Sequence, residues 1–221
     1  MPDVHERWRT ERIPAALYDM GVEHERVARV AGAALWGFDT RPFFAELRSI
    51  GDLPAGSAVI DVPCGGGVAF RGIKPGQDIR FVAGDLNPTM RHRARREADR
   101  RGLSQVEVVK ANIYELQFDD GTFDLGLTYN GLHCFPDPAA ALVELARVIK
   151  PGGTLRGSSV VTGAGRRQDA LVGVYERAGI FGVTPSPAEL RGWIEAAGVD
   201  NLKLETSGAM ASFEGVLKRS D

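Results

Sequence analysis

The stretch Val59-Ile60-Asp61-Val62-Pro63-Cys64-Gly65-Gly66-Gly67 carries an apolar run into an acidic residue and then a glycine cluster. Glycines at such a turn let the backbone bend sharply and approach a ligand, because no Cβ intervenes. If the run is a strand, its C-terminal end is where open α/β sheets bind ligands. Twenty residues past Gly65, the next apolar run ends in Gly84-Asp85. A carboxylate there can accept hydrogen bonds from both hydroxyls of an adenosine ribose. The glycines alone fit an ordinary strand–helix turn; with Asp85 at this distance they point to a nucleoside-type site. A dinucleotide fingerprint, Gly-x-Gly-x-x-Gly, fails here: counted from Gly65, its third glycine position is Phe70, and Asp61 is untypical of it. A nicotinamide-dependent oxidoreductase is therefore the second reading.

The elements that must position these residues are legible from periodicity. Ile13 to Met20, Val22 to Trp36 and Pro42 to Ile50 space their apolar residues by three and four, which predicts helices. From Ala58 the pattern changes to short apolar runs, Ala58–Val62, Ile79–Ala83, Val106–Val109, Phe123–Thr128 and Leu155–Val161, each of strand length. Helical stretches lie between them, most clearly Pro88 to Arg101 and Pro138 to Ile149. Strands alternating with helices imply βαβ units, a mostly parallel sheet and helices on both faces. Ser186 to Ala197 reads as a helix with a Ser cap and Glu three residues later. Leu202–Thr206 and Ala211–Lys218, joined by Ser207-Gly208, are too close to run parallel and predict an antiparallel hairpin.

Composition bounds the rest. A chain of 221 residues, 43% hydrophobic and 25% charged, fits a single globular domain with a sizeable core. Lys plus Arg number 27 and Asp plus Glu 29, a balance that argues against a nucleic-acid or anionic-membrane partner. Six arginines crowd the helix from Arg91 to Arg101, but Glu97 and Asp99 are interleaved, which suits a solvated face laced with ion pairs. Two cysteines, Cys64 and Cys134, exclude a disulfide framework and a Cys-rich metal site. The charged start and the 12-residue length of the Val27–Phe38 stretch give no signal peptide or membrane span, so a cytoplasmic location is expected.

With these motifs in order, residues 58 to 160 resemble the class I S-adenosylmethionine-dependent methyltransferases, in the branch that includes the ubiquinone and menaquinone methyltransferases. That family's first motif reads Asp-Val-Gly-Cys-Gly-x-Gly; here Asp61-Val62-Pro63-Cys64-Gly65-Gly66-Gly67 stands in its place, with Pro63 for the first glycine. Proline removes one backbone donor at that point. The resemblance continues through Gly84-Asp85-Leu86-Asn87-Pro88 and Lys110-Ala111-Asn112-Ile113, then Gln117 to Asp124 and Gly131 to Pro138. It ends with Glu144-Leu145-Ala146-Arg147-Val148-Ile149-Lys150-Pro151-Gly152-Gly153.

The resemblance implies a Rossmann-like, doubly wound, seven-stranded sheet in the order 3-2-1-4-5-7-6. It implies one domain: N-terminal helices over residues 1–55, a cofactor core over 56–160, a substrate cover and helix over 161–199, and a hairpin over 200–221. S-adenosyl-L-methionine would be the cofactor and S-adenosyl-L-homocysteine the product. Asp85 would hold the ribose, Asn112 the adenine amino group, and Leu86 and Ile113 the adenine faces. Asp61, Pro63, Gly65 and Gly67, with Thr128 and Tyr129, would line the methionine part. His133, just after the fourth strand, is the candidate general base, or else a packed residue anchoring its loop. Lys150 to Gly153 read as a structural turn. The acceptor would be a small or lipid-like molecule, walled by Tyr18, Trp36, Phe38, Tyr175 and Phe181 from the N-terminal helices and from Thr162 to Thr184; each of these could equally be ordinary core. A non-catalytic S-adenosylmethionine-binding module has the same sequence pattern. The methylated atom and the oligomeric state stay open.

Overall fold

The computed structural model describes residues 29–30 and 32–219. Tyr18 and the stretch Ile13–Met20 lie outside them. Among the described residues the sheet has seven strands: β1 (Ser57–Asp61), β2 (Ile79–Asp85), β3 (Val106–Lys110), β4 (Phe123–Tyr129), β5 (Ile149–Val160), β6 (Val199–Ser207) and β7 (Met210–Leu217). Their order is β3-β2-β1-β4-β5-β7-β6, as the family resemblance implied. The first five are parallel; β7 runs antiparallel to both β5 and β6.

Strand alternation divides the core into two layers. Val59, Phe81, Leu125 and Leu127 pack on one face against helix α1 (Thr40–Arg48) and helix α2 (Pro88–Arg101). Ile60, Val82 and Leu155 pack on the other, against α3 (Pro138–Arg147) and α5 (Pro187–Ala196). Helix α2 begins where the Asn87 side chain accepts from the N–H groups of Thr89 and Met90, and ends at Gly102 in the left-handed region. Ser186 and Glu189 close a capping box on α5.

The observed elements depart from or add to the expected ones in several places. The third helix stops at Arg147 because Ile149 already pairs with Phe123 in β5, and Lys150 to Gly153 bulge out before Leu125 meets Thr154. Of the helix expected from Val22 to Trp36, residues 29–30 are helical and 32–36 form a π-helical turn, and the rest lies outside the described residues. The cover segment holds a helix, α4 (Arg166–Arg177), that has no capping side chain to announce it. After β1 comes only a 3-10 turn, Val68–Gly72, seated under α1: a Cβ on Gly72 would collide with the carbonyl of Leu47.

Candidate active site

Asp61 ends β1 and Asp85 ends β2, and the parallel pairing of these neighbouring strands brings the two carboxylates to one end of the sheet. Both are buried, Asp61 to 1% exposure and Asp85 to 7%. The glycine turn wraps Asp85. The N–H of Gly65 donates to its Oδ2 at 3.0 Å and that of Asn87 to its Oδ1 at 2.8 Å. Arg91, in the first turns of α2, spends Nη1 on the carbonyls of Asp85 and Leu86 at 2.9 and 2.7 Å. This end of α2 therefore meets the site, whereas the sequence reading gave the arginines of this helix a solvated face. Burial pushes the Asp85 carboxyl up to about 6, against the pull of these N–H donors and of Arg91.

Asp61 differs. Neither of its oxygens has a hydrogen-bond partner among the described residues. Burial, then the neighbouring Asp85, pushes its carboxyl well above the usual range. Gly65, at φ +53°, leaves open space where a Cβ would stand, so the turn has room for a ligand beside these acids. The Val62–Pro63 peptide is cis, and the Pro63 ring packs on Gly131 of the loop after β4, where a Cβ would come within 2.5 Å.

The end of β4 contributes less uniformly. Tyr129 faces the α1 layer, and its hydroxyl donates to Oε1 of Glu46 in α1 at 2.7 Å. Thr128, one residue earlier, points to the opposite face and buries its hydroxyl without a partner among the described residues. Asn112 is half-buried at the end of β3, its Oδ1 accepting from the N–H of Tyr114 at 3.3 Å; Leu86 is half-buried and Ile113 buried beside it. Glu46, Asn87 and Arg91 were given no part in the site by the sequence reading. Asn87 carried a signal, an Asn-Pro helix start; Glu46 carried none, since its partner lies 83 residues away.

His133 is 1% exposed, in a short turn after β4. Its Nδ1 accepts the N–H of Val160 at 3.1 Å, and its ring meets Phe181 edge-on at 4.5 Å. Burial drives its pKa down to about 3. A neutral imidazole whose Nδ1 accepts carries its proton on Nε2, so the ring offers a donor there, not a lone pair. The loop is held further by Gly182, whose N–H donates to the His133 carbonyl at 2.8 Å.

Four of the five residues expected to wall an acceptor are described, and three of them form one stack. Tyr175 and Phe181 lie 5.0 Å apart and nearly parallel, with Trp36 at 5.8 and 6.1 Å from them. Phe38 joins the same apolar cluster and reaches Phe43. The strap that carries Trp36 is tied to the β6–β7 turn, because Ala209 N–H donates to the Trp36 carbonyl at 2.8 Å and Asp39 N–H to Ser207 Oγ at 3.1 Å.

Residues 60–156 match the family model described as a methyltransferase domain. That match covers somewhat less than half of the chain. A demethylmenaquinone methyltransferase of Bacillus mycoides is 34% identical over 111 residues, covering 49% of this chain and 46% of that protein. The chain thus matches about half the length of such a relative. A SAM-dependent methyltransferase from Aquifex aeolicus superposes with a TM-score of 0.64 at 21% identity, covering 94% of this chain and all of that one. Another, from Thermotoga maritima, gives 0.62 at 20% identity over 90% of this chain and 99% of that one. At such identities these two likenesses speak for the fold. The donor set here fits S-adenosyl-L-methionine, the cofactor that the family resemblance implied: a carboxylate for a ribose, an orphaned acid for a cationic head, and a glycine turn with open space. None of the helices among the described residues is long and apolar enough to cross a membrane.

Proposed function

We propose that the chain transfers a methyl group from S-adenosyl-L-methionine to an apolar, small or lipid-like acceptor. The observation that carries the acceptor class is the stack of Trp36, Tyr175 and Phe181, which closes on His133 next to the strand ends. Relatives named demethylmenaquinone methyltransferases support the same class. The arginines of α2 speak for a small acceptor over nucleic acid: Arg100 and Arg101 pair with Glu97, and Arg91 and Arg95 bond backbone carbonyls.

When bound, the cofactor supplies a methyl group already activated on a sulfonium, so the chain's task is chiefly positioning and exclusion of water. Asp85 accepts the ribose hydroxyls with the lone pairs that Gly65 and Asn87 leave free. Asn112, Leu86 and Ile113 fix the adenine. Asp61, the backbone from Pro63 to Gly67 and the ring of Tyr129 face the amino-acid part. His133 holds the loop after β4 against β5 and supports Phe181; with Nδ1 taken by Val160, it acts as a positioning residue rather than a base.

The test is a panel of acceptors graded in polarity, after binding of S-adenosyl-L-homocysteine has been established by calorimetry. Turnover should favour apolar aromatic or long-chain acceptors. Trp36→Ala should raise the acceptor KM several-fold with little change in S-adenosyl-L-homocysteine affinity. A preference for hydrophilic acceptors, or an equal loss of both affinities, would overturn the acceptor class.

A further inference from the structure

Asp61 is placed in a way that its fold alone does not reward. It is 1% exposed, and neither oxygen has a donor among the described residues. An ionised carboxylate buried in that position has no hydrogen bond and no cationic partner among the described residues, so the neutral acid is the favoured form. The surrounding groups do not relieve it. From β2 it faces the carboxyl of Asp85. From the turn after β1 comes Cys64, whose own ionisation is disfavoured by burial and then by Asp85 and Asp61. From β4 comes Tyr129, whose hydroxyl is given to Glu46 of α1. From α2, Arg91 acts on Asp85 and Cys64 while its Nη1 bonds two carbonyls. Arg156 lies beyond Glu46, engaged with Glu214 and Ser49.

We infer that Asp61 gives up a proton when the ammonium head of an adenosyl amino acid enters this site, so that cofactor binding is coupled to proton release. The inference rests on the cofactor site proposed above. The ammonium brings both the donors and the positive charge that the buried acid lacks, and the released proton passes to solvent. The upward push on the Asp61 carboxyl agrees in sign. Linkage then fixes the pH dependence. Below the pKa of Asp61 in the free protein, each pH unit gained strengthens binding of the charged ligand by up to about tenfold. A nucleoside lacking the amino-acid head gains nothing from Asp61.

The experiment is isothermal titration of the full chain with two probes, S-adenosyl-L-homocysteine and 5′-methylthioadenosine, which shares the adenosine and thioether but not the head. Each is titrated in two buffers of different ionisation heat at several pH values between 5.5 and 8. The pair cancels Asp85, which both ribose-bearing probes engage. Expected is up to one additional proton released with S-adenosyl-L-homocysteine, and an affinity for it that climbs with pH more steeply than that of the thioadenosine. Asp61→Asn should abolish the additional proton and the steeper slope while the thioadenosine still binds. Equal proton counts and parallel slopes for the two probes in the unaltered protein overturn the inference, whether or not the variant folds. If neither probe binds, the cofactor site itself is overturned, and the inference with it.

Discussion

Asp85 holds a proton equilibrium between opposed influences: burial raises it, and the backbone N–H groups of Asn87, Gly65 and Leu86 with Arg91 hold it near 6. At neutral pH it is ionised and ready to accept. Replacing it by alanine should weaken S-adenosyl-L-homocysteine binding by about 1.5–3 kcal/mol, the usual worth of hydrogen bonds to a charged group; calorimetry at pH 7.5 reads this, and unchanged affinity would detach the ribose from β2. His133 makes a different prediction. Unfolded, it takes a proton below about 6.5, whereas folded it stays neutral down to about 3. Between these values the unfolded chain binds more protons, so the contribution of His133 is complete above 6.5 and is lost as pH falls through the window. Asp85 has the opposite sign: its folded pKa is raised, so the native state holds the additional proton and its contribution is lost as pH rises towards 6. Only a difference isolates the histidine. The stability gap between the unaltered protein and His133→Gln should shrink on going from pH 6.5 to 5, by at most about 1.4 kcal/mol per unit. Urea unfolding at three pH values measures it, and a constant gap would show that the ring is not the neutral group described. Asp61 and Asp85 were legible because an acid ending an apolar run has few structural reasons to be there. The bond from Val160 to His133 was not, since it depends on how β5 ends beside a loop 27 residues earlier.

The elements differ in how openly their ends are written. Helix α2 is bounded by Asn87-Pro88 and Gly102, local signals for a start and a stop, and its observed limits match the expected ones. Helix α4 starts after Gly165 with no capping side chain and contains Gly173, so nothing local distinguished it from a loop. Strand β5 begins earlier than its apolar run because pairing with β4 recruits Ile149 across a bulge, a tertiary effect that periodicity does not carry. The strap before α1 is likewise set by a distant element. Gly208, at φ +54°, lies so close that a Cβ would collide with the Trp36 carbonyl and the Gly37 backbone. Gly208→Ala should therefore cost more than about 1 kcal/mol of stability, by strain and by displacement of the strap. It should also loosen the Trp36–Tyr175 contact, visible as a shift in tryptophan fluorescence. A variant with native stability and native emission would mean that the hairpin does not brace the aromatic wall.

At the scale of the whole molecule, the sheet order decides which nucleotide the domain can take. The central parallel strands β2, β1 and β4 deliver the acids, the glycine turn and the loop of His133 to one edge, where open α/β sheets bind ligands. A dinucleotide needs more than that edge. Its pyrophosphate sits on the N-terminus of a helix that follows the glycine turn directly, where a third glycine lets helix and strand approach. Here the turn leads into a five-residue 3-10 segment, Val68–Gly72. At the third position the ring of Phe70 is fully buried, 5.7 Å edge-on from Phe81. The geometry that would hold a pyrophosphate is replaced by core packing, while the acids that suit a ribose and a cationic head remain. S-adenosyl-L-homocysteine at about a hundred times its dissociation constant should stabilise the native state by about 2.7 kcal/mol. For a chain of this length each kcal/mol moves the midpoint by roughly 2–4 °C, so a rise of about 5–11 °C is expected in a thermal unfolding scan. NAD at the same concentration should leave the midpoint where it is. A comparable rise with NAD would mean that Phe70 and its turn rearrange to admit a pyrophosphate, and would return the nicotinamide reading to first place.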